Sequence, residues 1–249
     1  MSELAKRLIT GALLIGIVAL VAWIDSFGLT WLFFGVIYLF SFYEALKLFG
    51  MSERNSLYFW ALLVWIVAAI YPNPDDLFFL IALLFAAFEA YTQERDWQKF
   101  LPFLYPTASF LFLLALYHDF GMDALIWLVI VVALTDIGAY FTGRAIGKHP
   151  FCKTSPKKTW EGVIGGVIIA TIAGSYYALI LVDLPYGIVI SLLTAVAAVF
   201  GDLFESYLKR LAGVKDSGNI LPGHGGILDR VDGYLFAAVA MVILLRGLL

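Results

Sequence analysis

From Gly201 to Gly233 the chain reads GDLFESYLKRLAGVKDSGNILPGHGGILDRVDG, and here its ionisable residues collect. Asp202, Glu205, Ser206 and Lys209 stand at i, i+3, i+4 and i+7, so a helix places them on one face. Asp229 and Asp232, three apart, share a face of the next helix. Lys215 and Asp216 lie between, so four aspartates, one glutamate and several cations are expected to converge. Carboxylates alone would suit a cation path, and lysines and arginines alone an anion site. The mixture suits a nucleotide: carboxylates hold Mg²⁺, the metal bridges phosphate oxygens, and cations neutralise the remaining charge. The glycines of Gly223–Gly226, GHGG, let backbone N–H groups approach phosphate oxygens closely. His224 among them is a candidate phosphate donor or proton shuttle, or simply a residue that orders the loop.

Two upstream segments add to this set. Asp136 lies inside an apolar run, in TDIGAYFTGR, on one helical face with Tyr140 and Gly143. An ionisable side chain within a spanning segment is a functional candidate by default, against the alternative of a structural pairing with Arg144 or a lysine. Further on, SPKKTWEG stops at a helix start, where Thr159 and Glu161 suit the first turn. Lys157 and Lys158 beside helix N-terminal amides form a weak phosphate-site signal, and an anionic-lipid patch is the plainer reading. No Ser-His-Asp logic is apparent, and His118, His149 and His224 are too scattered to suggest zinc.

The elements that carry these residues are membrane helices. Of 249 residues, 62% are hydrophobic and 14% charged, with a mean hydropathy of +0.92, which excludes a soluble chain. Apolar stretches fall at about 7–24, 29–48, 57–72, 76–92, 101–117, 122–142, 161–182, 186–211 and 229–248. The third and fourth are short and flank Pro72 and Pro74, so they read equally as one broken hairpin. Lys6 and Arg7 before an apolar run resemble a signal peptide, but no small-x-small cleavage site ends it, so it reads as the first span. Numbering the loops alternately from an inside N-terminus sends 15 of the 16 basic residues inside, leaving only Arg246, while Asp25, Asp75, Asp76, Asp119, Asp123 and Asp183 fall outside. The expected fold is therefore all-α and polytopic, with about nine transmembrane helices and a cytoplasmic N-terminus. The expected domains are residues 1–124, scaffold helices with a candidate lipid cavity, and 125–249, a catalytic region with cytoplasmic-side loops. Glu44 and Glu89, the deepest ionisable residues of the first half, read as interfacial or capping carboxylates, or as the lining of a headgroup cavity. Small residues from Gly162 to Gly174 predict close helix packing. The single cysteine, Cys152, allows no internal disulfide and sits among lysines expected to be cytoplasmic.

Ser206 to Asp232 resembles the signature of the phosphatidate cytidylyltransferases, or CDP-diacylglycerol synthases: S-x-x-K-R, four residues, K-D, then P-x-H-G-G, then D-R-x-D. No position departs from it, and the SPKKTWEG and TDIGAYFTGR segments are similar to family motifs, so the resemblance covers about residues 135–235. It implies that CTP and phosphatidic acid react with Mg²⁺, or two metal ions, to give CDP-diacylglycerol and pyrophosphate. It further implies an enzyme of the inner membrane, with membrane lipid around it, no nucleic-acid partner, and a homodimer as one option. Carried over, Asp216, Asp229 and Asp232 are metal ligands with Asp202 a fourth candidate, and Lys209, Arg210, Lys215 and Arg230 clamp phosphate. Asp136, Lys157, Lys158, Ser206, His224, Gly225 and Gly226 bind substrate on the CTP or lipid side. The competing readings are a CTP-using enzyme acting on a polyprenyl or ether lipid, and an ion-coupled transporter. The complete signature opposes the first, and lysines matched to carboxylates oppose the second. A CDP-alcohol phosphotransferase would need a D-G-x-x-A-R pattern, which is absent.

Overall fold

The structure is a computed structural model that describes residues 3–51, 55–94 and 96–249. Arg54 and Arg95, two of the basic residues used to orient the chain, lie outside the described residues, as do the side chains of Lys6 and Arg7. The long elements of the described chain are all helices: α1 (Glu3–Ile24), α2 (Phe27–Leu48), α3 (Asn55–Ala68), α4 (Asp76–Thr92), α5 (Ala108–Ile146), α6 (Trp160–Ala178), α7 (Leu184–Leu211) and α8 (Leu228–Leu248). A 3₁₀ turn, Trp97–Phe100, and a π turn, Phe103–Thr107, precede α5.

Among the described residues, five runs are long and apolar enough to cross a membrane: Phe27–Leu48, Trp97–Ile146, Trp160–Ala178, Leu184–Leu211 and Leu228–Leu248. The protein is thus an all-α membrane protein. The fifth and sixth expected spans share the run Trp97–Ile146, which leaves helical geometry at Gly121 (φ 74°, ψ −170°), a conformation open to glycine. The run also breaks at Tyr105 (φ −144°, ψ 117°), because the ring of Pro106 disfavours helical geometry in the residue before it. Proline shortens α3 as well. The expected third span runs to Pro72, but α3 stops at Ala68 and tightens into i→i−3 bonds from Ala69 and Ile70.

The chain divides into two compact units, residues 1–115 with 211–230, and residues 116–210 with 231–249. In the first, α2 is the core helix. Its Tyr38 and Phe42 are fully buried and meet Trp65, Phe103 and Phe110 in tilted and edge-on ring contacts. Gly35 lets α3 come close, since a Cβ there would lie 2.3 Å from the Trp65 ring nitrogen. Trp31 and Trp65 each donate their ring N–H to the other's carbonyl, at 3.0 and 3.3 Å. The Tyr38 hydroxyl finds Thr107 at 3.0 Å, so the apolar layer leaves that phenol satisfied.

In the second unit, backbones approach through glycine. A Cβ on Gly162 would lie 2.8 Å from the Ala139 carbonyl, and one on Gly166 2.4 Å from that of Thr135, so α6 lies directly on α5. The small residues on α6 perform the packing expected of them. Gly201 does the same for α7, where a Cβ would meet the Asp232 carbonyl at 2.6 Å. That close crossing brings the Asp202 and Asp232 stretches of α7 and α8 together. Trp127 donates to Ser191 at 2.9 Å in the same core.

Candidate active site

The loop between α7 and α8 presents one group of site residues. Gly213 (φ +71°) turns the chain out of α7. Leu221 N donates to Gly225 O and His224 N to Leu221 O, both at 2.9 Å, which closes a tight turn through the left-handed Gly223 and Gly225. Lys215, Asp216, Gly223, His224, Gly225 and Arg230 line a recess of about 480 Å³. The Arg230 Nε donates to His224 O at 3.1 Å, which orients the guanidinium along the turn. His224 Nδ1 is buried and has no hydrogen-bond partner among the described residues. Nδ1 therefore makes no loop-ordering hydrogen bond among the described residues.

Asp229 stands behind this recess. Its carboxylate accepts Ser217 N at 3.0 Å and Gly226 N at 2.7 Å. Gly225 has to be glycine for space as well as for φ, since a Cβ would come within 2.9 Å of the Asp229 carboxylate. Asp229 thus organises the loop by tying its two ends together.

The second group sits on the helices. Asp202 on α7 accepts from Ser206 at 3.4 Å and pairs with Lys158. Lys209 pairs with the fully buried Glu205 one turn before it. Asp232 on α8 accepts its own neighbour's N–H, Gly233, at 2.7 Å, and interacts electrostatically with Asp202, Asp136 and Lys209. The segment before α6 explains Lys158. Phe151 N donates to Lys158 O at 2.8 Å and Trp160 N to His149 O at 3.0 Å, a narrow hairpin closed by Glu161 on the Lys148 and His149 amides. Thr159 caps α6 on Gly162 N at 3.2 Å, as its position predicts. Lys157 and Lys158 do not act as a pair: Lys158 turns to Asp202, and Lys157 is exposed. Arg210 is likewise exposed, one residue beyond the face of Lys209.

The donor set in each group suits a hard cation shared with phosphate. Among the described residues no three His, Cys, Asp or Glu side chains form a ready metal cluster. Each group does offer carboxylates, Asp216 with Asp229 and Asp202 with Asp232, next to cations. Magnesium commonly takes one or two carboxylates and fills its octahedron with waters and substrate phosphates, so these residues fit it.

The cytidylyltransferase family model matches residues 5–248. The chain belongs to the cytidylyltransferase family. Among its relatives, a phosphatidate cytidylyltransferase of Helicobacter pylori is 44% identical over 96% of this chain and 91% of its own length. That of Brucella suis is 39% identical over 97% and 93%, and that of Thermotoga maritima 33% over 99% and 97%. The family match takes in α1–α4 as well as the motif-bearing half, which sequence motifs alone did not connect to it. Within the first half, one residue of this cytidylyltransferase had an unforeseen role. Glu44 is buried and bonded to the loop through Ser217. Its place in an apolar run was the available signal, but a partner 173 residues away leaves no trace in spacing. Glu44 is a capping carboxylate, for α8, and it is fully buried there. Glu89 is also buried and accepts Asp96 N at 2.7 Å, so it too caps local backbone.

Proposed function

We propose that the chain is a phosphatidate cytidylyltransferase, transferring CMP from CTP to phosphatidic acid to give CDP-diacylglycerol and pyrophosphate. The observation that carries this reading is the recess of Lys215, Asp216, His224 and Arg230, in a chain that aligns almost end to end with relatives of that name. A phosphate oxygen of the lipid attacks the α-phosphorus of CTP, the bond to the bridging oxygen of the β-phosphate breaks, and pyrophosphate leaves with the electron pair. The nucleophile comes from the substrate, so the protein needs to position groups and offset charge, and forms no covalent intermediate.

The side chains divide that work by chemistry. Lys215 and Arg230 neutralise phosphate oxygens, Arg230 through a planar fork that its bond to His224 O holds in place. His224 donates to a phosphate oxygen, and the glycines beside it admit the backbone closely. Asp216 with Asp229, and Asp202 with Asp232, would each hold Mg²⁺, which when bound supplies Lewis-acid charge to the phosphates. Lys158 and Lys209, each tied to a carboxylate, keep their cations fixed in place. Asp136 belongs with this helix-borne group through its electrostatic interaction with Asp232.

Nine crossings with a cytoplasmic N-terminus account best for the sorting of basic residues. α1, α3, α4 and the two parts of α5 on either side of Gly121 would then serve alongside the longer helices. This puts the loops carrying Lys158 and Asp216 on the cytoplasmic side of the inner membrane, where CTP is found.

The deciding experiment incubates the purified protein in detergent micelles with radiolabelled CTP, magnesium and phosphatidic acid. Labelled CDP-diacylglycerol with equimolar pyrophosphate is expected. Label transferred only when a polyprenyl or ether lipid replaces phosphatidic acid would overturn the substrate assignment, and no transfer to any lipid would overturn the reaction.

A further inference from the structure

We propose that Glu44 of α2 is a positioning residue for the nucleotide loop, setting the places of Asp216 and Gly225 through the backbone they adjoin. Its side chain is fully buried. One carboxylate oxygen accepts Ile227 N at 3.1 Å, and the other accepts Leu228 N at 2.7 Å and the Ser217 hydroxyl at 3.0 Å. These amides open α8, where the first N–H groups lack intrahelical partners and a carboxylate is favoured by the helix dipole.

The loop is also shaped around this carboxylate. A Cβ on Gly218 would fall 2.2 Å from one Glu44 oxygen, and a Cβ on Gly226 2.5 Å from the other. No larger residue fits at either place while Glu44 keeps its bonds. Asp229 takes the same two stretches as well, accepting Ser217 N and Gly226 N. Ser217 is therefore held twice, through its hydroxyl and its N–H, while Gly226 is held by Asp229 and its neighbour Ile227 by Glu44. Ser217 and Gly226 each have a recess-lining residue as chain neighbour: Asp216 before Ser217, and Gly225 before Gly226. A carboxylate buried only for stability has no need to join both ends of one loop. This one closes the loop across its base, and in doing so fixes where Asp216 points relative to the GHGG turn.

The proposal rests on the cytidylyltransferase reading, and its test separates the two. Full-length protein in detergent micelles is compared with Glu44→Gln, which keeps the side chain's shape but replaces one acceptor oxygen with a donor. Whichever oxygen is replaced, the new amide faces the Ile227 or Leu228 N–H and leaves it without an acceptor. We expect kcat/KM for CTP to fall about tenfold or more, the scale of one orphaned buried donor. Amide hydrogen exchange should accelerate within 215–228 while α2 and α5–α7 keep their protection. Ser217→Ala, which removes one bond of three, should give a smaller loss that adds little in the Glu44→Gln background, because both act through one loop.

Wild-type kcat and KM in Glu44→Gln would overturn the proposal. So would faster exchange spread over all helices, which would mean that the carboxylate supports the fold at large. If Glu44→Gln does not accumulate, Ser217→Ala and Gly226→Ala carry the test, and wild-type kinetics in both would overturn it. If the wild-type protein gives no CTP-dependent product, the activity reading falls, while the exchange measurement still decides whether Glu44 holds the loop.

Discussion

Asp216 of the loop between α7 and α8 and Asp229 at the start of α8 are both aspartates, but their surroundings differ. Asp216 is exposed to the recess, whereas Asp229 already accepts two backbone amides. Asp216→Asn should lower kcat by about 100-fold with the loop's hydrogen exchange unchanged, the loss expected for a group acting on transition-state charge. Asp229→Asn should lose as much but keep the loop in place, because both N–H groups meet one oxygen and an amide carbonyl there can still accept them, whereas Asp229→Ala should loosen the loop too. Rate against magnesium concentration checks the pair, and a near-normal rate for either at saturating magnesium removes that residue from the metal set. Lys209 makes a similar distinction. It pairs with a buried Glu205, so Lys209→Ala should reduce activity and also destabilise the protein, by about 3–5 kcal/mol where a buried charge loses its main partner. A thermal melt in detergent that does not move would show Glu205 to be served by other groups. Residue types and helical spacing made Asp202, Ser206, Lys209, Asp216 and Asp229 legible as candidates in the sequence. Spacing could not separate Lys157 from its neighbour, since the hairpin that turns Lys158 toward Asp202 depends on Glu161 bonding back to residues 148 and 149.

At the scale of elements, glycine sets how closely the helices approach. Gly201→Ala would drive a methyl into the Asp232 carbonyl at 2.6 Å, so α7 and α8 must part by some tenths of an ångström. Overpacking of this kind costs about 1–3 kcal/mol. We expect a lower melting temperature and a fall in kcat for Gly201→Ala, since Asp202 and Asp232 ride on the displaced helices. Melting and activity both at wild-type values would show that the crossing has slack. Helix starts were readable where a capping residue announced them, as Thr159 does for α6. Helix ends were less so. The hydropathy of residues 57–72 runs on through a stretch where Pro72 has already ended the helix, because composition reports burial and proline acts on backbone geometry.

For the whole molecule, the proposed orientation is testable at its single cysteine. Cys152 is partly accessible and sits in the hairpin before α6. A membrane-impermeant thiol reagent should leave it unlabelled in intact cells and label it once they are permeabilised. Labelling in intact cells would reverse the orientation. Sequence motifs confined the chemistry to the second half of the chain. The packing instead groups residues 211–230 with the N-terminal helices, a partition no local pattern displays because it depends on contacts such as Glu44 with Ser217 and Leu228. That anchor also bears on how the protein is made. α2 leaves the ribosome 173 residues before Ser217, which at synthesis rates of about 5–20 residues per second is a wait of roughly 9–35 s. During that time a spanning helix carries a carboxylate whose eventual partners do not yet exist. Its place four residues before the helix ends at Leu48 keeps the charge near the headgroups, where water can serve it until then. The nascent N-terminal helices are therefore an acceptor held open for a distant loop, which can take its place only after Leu228 has been synthesised.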